Sequence, residues 1–87
     1  MSDLLNAIQM GDLASAIALL TQGKSANEAD DTGTTPLMLA AEEGNVDLVK
    51  LLLEHRAEVN ATDADGWTAL MAAAAAGHTE IVQQLIE

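Results

Sequence analysis

Apolar side chains recur along this chain in short bursts at helical spacing, separated by polar stretches that contain glycine. Leu48, Val49, Leu52 and Leu53 fall on one face of a helix, and Ile81, Val82, Leu85 and Ile86 repeat the same spacing. Near the start, Ala16, Leu19 and Leu20 give a weaker version. The bursts are in register, because positions 33 residues apart carry the same residue: Gly11, Gly44 and Gly77; Ala7, Ala40 and Ala73; Leu4, Leu37 and Leu70; Leu19, Leu52 and Leu85. Asn27 with Asn60, Asp30 with Asp63, Gly33 with Gly66, and Thr35 with Thr68 keep that interval. Self-similarity of this kind marks stacked units, each burying against its neighbour an apolar face that it cannot bury alone.

The local code within a unit predicts its elements. Thr35 precedes Pro36, so a hydroxyl can cap the free amides of a helix whose first residue has no amide to leave unpaired. That helix should run to about Glu43 and stop at Gly44, where a left-handed backbone carries little strain. Asn45 then caps a second helix from Val46 to about Glu54. Thr68, Gly77 and His78 mark the same boundaries in the last unit, and Gly11 and Asp12 in the first. Between helix pairs, segments 23–34 and 56–67 hold Asn27, Asn60 and the Asp-x-x-Gly sequences at Asp30–Gly33 and Asp63–Gly66. An aspartate can close such a turn onto backbone amides while glycine takes the positive φ, so these segments should project as hairpin-like fingers.

The stretches Asp30-Asp31-Thr32-Gly33-Thr34-Thr35-Pro36-Leu37-Met38-Leu39-Ala40-Ala41 and Asp63-Ala64-Asp65-Gly66-Trp67-Thr68-Ala69-Leu70-Met71-Ala72-Ala73-Ala74 resemble the opening of an ankyrin repeat. The following Gly44-Asn45 or Gly77-His78, with the apolar pairs after them, are similar to its second half. The resemblance implies an all-α solenoid of stacked helix-turn-helix units joined by fingers. One domain would span 1–87, with a degenerate repeat at 1–29, a full one at 30–62 and a truncated one at 63–87. Met38 and Met71 replace the family's usual histidine, and Ala69 its usual proline, which puts a local hydrogen bond and a turn preference in question.

The same resemblance implies that a protein or peptide partner lies in the concave groove of first helices and finger tips. Carried over position by position, the groove comprises Gln9 and Met10 in the first unit and Asp31, Thr32, Thr34, Glu42 and Glu43 in the second. The third contributes Ala64, Asp65, Trp67, Ala75 and Ala76. Matching positions share the task of folding, and these are the places where the period breaks. They grade from acidic to apolar, which suits a ligand with a basic segment beside an apolar one.

Composition narrows the picture. Apolar residues make up 49% of the chain but only one residue is aromatic, so the core must be aliphatic and rich in alanine. With no cysteine there are neither disulfides nor thiolate zinc ligands. The longest apolar run, Ala69 to Ala76, is too short to span a bilayer, and no basic segment followed by an apolar one opens the chain. A soluble protein, cytoplasmic by preference, is expected. Fourteen acidic residues against Lys24, Lys50 and Arg56 give a net charge of −11, which argues against nucleic acid and anionic membranes as partners.

Candidate chemistry is thin. His55 and His78 have no companion at metal-ligand spacing, and His78 stands where Asn45 and Asp12 stand, so capping or hydrogen bonding is its expected work. Glu42 and Glu43 diverge by about 100° around a helix, which disfavours a shared proton. Ser15 and Ser25 lack a neighbouring base, and the Gly-x-Thr run at Gly33 is a turn and cap. Neither catalysis nor a cofactor or metal is expected. The competing expectation is a scaffold with no cognate partner, either a piece of a longer array or an engineered repeat protein, self-associating through its C-terminal helix. The stop at Glu87 and the apolar face of Ile81, Val82, Leu85 and Ile86 point that way.

Overall fold

The computed structural model describes residues 3–86, so the stop at Glu87 and the outer limits of the terminal units lie outside the described residues. Among the described residues there are six helices and no strand: α1 Asp3–Gln9, α2 Leu13–Thr21, α3 Pro36–Glu43, α4 Val46–Glu54, α5 Ala69–Ala76 and α6 Thr79–Ile86. They form three antiparallel pairs. The first helices α1, α3 and α5 pack side by side, and α2, α4 and α6 form a second row behind them.

The boundaries follow the capping chemistry. Thr35 Oγ1 accepts the Met38 amide at 3.2 Å, and the Thr35 amide in turn points at Met38 Sδ at 3.4 Å. The thioether thus takes the amide whose partner was in question. Thr68 Oγ1 caps Met71 in the same way, so α5 begins without a proline. Asp12 and Asn45 accept from Ser15 and Leu48, both at 3.1 Å. His78 does something different: its Nε2 lies 3.0 Å from the carbonyl of Glu42, where the ring must be the donor because a carbonyl only accepts. It ties the last turn of α3 to the following unit.

Each finger closes as its aspartate suggests. Asp30 Oδ1 accepts the amides of Thr32 and Thr34, both at 2.9 Å, while the Asp30 amide donates to the Thr34 carbonyl at 3.0 Å. Asp63 repeats this with the amides of Asp65 and Trp67. The fingers are also joined: the Ala64 amide donates to the Thr32 carbonyl at 2.9 Å. A Cβ on Gly33 would sit 3.1 Å from the Asp63 Cα, so glycine there serves close approach as well as positive φ. Asn27 bridges further back, accepting from the Glu58 amide and donating to the Arg56 carbonyl.

The core is aliphatic throughout. Leu4, Ile8, Leu37, Leu48, Val49, Leu52 and Ile81 are buried, and Ala40, Ala41 and Ala73 let the helices approach closely. The outer units differ from the middle one at positions that a neighbour covers. Ser15 is exposed where Leu48 and Ile81 are buried. Met38 is 5% exposed but its equivalent Met71 is 49% exposed. In α6, Ile81 and Leu85 face inward, Val82 is half-buried and Ile86 is 66% exposed.

Candidate partner-binding surface

One cleft of about 470 Å³ opens on the side of the first helices and fingers. Thr34, Asp63, Asp65 and Trp67 of the two fingers form one wall. Met38 and Glu42 on α3, and Thr68, Ala72, Ala75 and Ala76 on and before α5, form the rest. Local sequence explains the alignment. Thr68, the cap of α5, and Ala72, Ala75 and Ala76 within it are spaced by four, three and one, so they share a face, and Met38 and Glu42 are one turn apart on α3.

Trp67 dominates the wall. It follows Gly66, its amide is held by Asp63 Oδ1 at 3.0 Å, and 44% of the residue remains exposed. Alanines opposite leave the space for a ligand. Three carboxylates, of Glu42, Asp63 and Asp65, line the cleft with no lysine, arginine or histidine among its residues. Nearby, burial and then the charge of Glu42 push the Glu43 carboxyl above its ordinary range. The Thr32 hydroxyl and the Thr34 amide hold Asp30 below its own. Among the described residues, no group of three or more metal-ligating side chains is close enough to hold an ion.

Six of the twelve residues carried over from the resemblance meet in this cleft: Thr34, Glu42, Asp65, Trp67, Ala75 and Ala76. Asp31, Thr32 and Ala64 are exposed on the finger tips and do not line it, and the Thr32 carbonyl and Ala64 amide are engaged with each other. Gln9 and Glu43, the last residues of α1 and α3, are exposed and do not line it. Met10 lines a separate depression with Asp3, Asn6, Asp12 and Ser15. Met38, Asp63, Thr68 and Ala72 were not singled out; the first three also serve the core, a turn and a cap. The signal that would have found them is spacing: Met38 is four before Glu42, Thr68 four before Ala72, Ala72 three and four before Ala75 and Ala76, and Asp63 four before Trp67.

Six helices in three stacked pairs, linked by Asp-x-x-Gly fingers, agree with the comparison by sequence: residues 4–87 match the family model described as ankyrin repeats (3 copies). The chain belongs to the ankyrin repeat family. It is 47% identical over 53 residues to the 2-5A-dependent ribonuclease of Mus musculus, an alignment covering 60% of this chain and 7% of that protein. A putative ankyrin repeat protein of fowlpox virus is 39% identical over 51 residues, covering 59% of this chain and 36% of the relative. Another from Rickettsia felis is 50% identical over 48 residues, covering 53% and 18%. The chain therefore corresponds to a small part of each relative. Ankyrin repeats are generally protein-interaction modules and generally not catalytic. Among the described residues, no helix is long and apolar enough to cross a membrane.

Proposed function

We propose that this chain is a protein-interaction module that receives a basic, partly apolar segment of a partner protein in the Trp67 cleft. The observation that carries this reading is one cleft that joins the exposed Trp67 to Ala72, Ala75 and Ala76 and to three carboxylates, with no basic residue in its lining. A tryptophan in such a place is the residue type that most often anchors an interface, and the carboxylates select the sign of what approaches it. Repeats at 1–29, 30–62 and 63–87 are the proposed organisation. Duplex nucleic acid and anionic lipid are unsuitable partners for a chain of net charge −11.

Selection of ligands for the full chain from a random peptide library tests this. Recovered peptides should be basic, bind less well as salt is raised, and lose most affinity to Trp67→Thr. Ligands that are acidic, or that bind Trp67→Thr as well as the parent chain, would overturn the reading.

A second reading has its own observation. Met71, Ala74 and Ile86 are exposed on the face of the last unit whose counterpart in the middle unit, at Met38 and Ala41, is buried. Self-association through this end follows, and a concentration series in the analytical ultracentrifuge reads it.

A further inference from the structure

The cleft specifies more than the sign of its ligand. Among the described residues, the carboxylates of Glu42 and Asp65 make no ion pair and accept no hydrogen bond, whereas Asp63 is committed to the amides of its own turn. The two free carboxylates come from different elements, the end of α3 and the tip of a finger, and Trp67 lines the same cleft. Glu42, Ala75 and Ala76 also lie in the last turns of α3 and α5, where the aligned peptide dipoles leave partial negative charge. Negative charge from side chains and helix ends thus lines the same cleft as the exposed Trp67.

A lysine ammonium is a compact, strongly hydrated point charge on a flexible stem; it is attracted to an aromatic face but cannot lie flat on it while directing planar donors at two separate acceptors. A guanidinium differs in shape. Its flat face stacks on an indole, and its five N–H donors lie in the plane, free to meet acceptors approaching from more than one side. We propose that the partner residue at the centre of this interface is an arginine, its guanidinium plane on the Trp67 indole and its edge donors shared between Glu42 and Asp65. A neighbouring small apolar side chain of the partner covers Ala72 and Ala75. This rests on the cleft being the docking surface, as set out above.

Trp67 is the sole aromatic residue, so its fluorescence reports the cleft without interference. The experiment titrates the full chain with three blocked hexapeptides that differ only in a central arginine, lysine or citrulline followed by leucine. Citrulline keeps the planar shape and removes the charge. The arginine peptide should change Trp67 emission and bind about tenfold or more tighter than the other two. Glu42→Gln and Asp65→Asn, each with an unchanged melting curve, should narrow the arginine-to-lysine ratio, and Trp67→Phe should retain part of it. Equal binding of arginine and lysine peptides, or no response of Trp67 to the arginine peptide up to millimolar concentration, overturns the proposal. If library-selected ligands without arginine still depend on Trp67, the cleft reading stands and the arginine assignment alone falls. If selected ligands bind without involving Trp67, both fall.

Discussion

Gly44 and Gly77 end equivalent helices with φ of 77° and 80°, yet only one of them has a neighbour. A Cβ on Gly44 would lie 2.6 Å from Cε1 of His78, while a Cβ on Gly77 meets nothing within 4 Å. Both alanine variants carry the left-handed strain of about 1–2 kcal/mol. Gly44→Ala should be the more destabilising, because it also displaces the imidazole from the Glu42 carbonyl. His78→Ala in the same chain should recover part of that difference, and paired urea melts measure it. Trp67→Thr tests the opposite kind of position. The preceding repeat folds with Thr34 in that place, so thermal stability should change little while binding of a selected ligand weakens by about 2 kcal/mol or more. A collapse in stability with unaltered binding per folded molecule would make Trp67 a packing residue. Asp30 gives a pH dependence with a definite sign. The Thr32 hydroxyl and then the Thr34 amide depress its pKa, so the turn gains stability above the ordinary aspartate range and loses it as pH falls through the depressed value. The amide resonances of Thr32 and Thr34 should move with that acid titration, and Asp30→Asn should abolish it.

Helix ends were legible because each is written in a few residues that act locally: Thr35 before Pro36, Asn45 after Gly44, Thr68 and Gly77 in the next unit. The orientation of α6 was not. Ile81, Val82, Leu85 and Ile86 share one apolar face by spacing, and only packing against α4 and α5 separates buried Leu85 from exposed Ile86. Leu85→Ala should cost about 2–5 kcal/mol, whereas Ile86→Lys should leave the melting curve nearly unchanged and reduce self-association. A large loss of stability on charging Ile86 would place it in the core. The candidate site shows the same division. Position in the repeat found Thr34, Glu42, Asp65, Trp67, Ala75 and Ala76, but convergence on one cleft depends on how neighbouring units sit against each other. Hence Gln9, Glu43, Asp31, Thr32 and Ala64 fall outside it, and Met10 opens onto a different depression. His78 was expected to cap or to hydrogen-bond, and it does form a hydrogen bond. Its bond to the Glu42 carbonyl, 36 residues away, could not be read from neighbouring residues.

The assembled molecule has an aliphatic core, a finger edge stitched by backbone bonds, and a net charge of −11 that no internal basic cluster offsets. Such a surface repels phosphate backbones, so retention on duplex DNA should be negligible at any salt, while association with basic peptides should weaken as ionic strength rises and the Debye length shortens. A salt series on immobilised DNA and on immobilised peptide checks both. The decisive measurement is a two-dimensional NMR titration of the isotopically labelled chain with a basic, apolar peptide. Perturbations should concentrate on the Trp67 indole and on the amides of Thr34, Glu42, Asp65, Ala72, Ala75 and Ala76, and should fade in high salt. Saturable binding that leaves these signals in place and instead shifts α2, α4 or the exposed face of α6 would contradict the assignment of the cleft as the partner-binding surface.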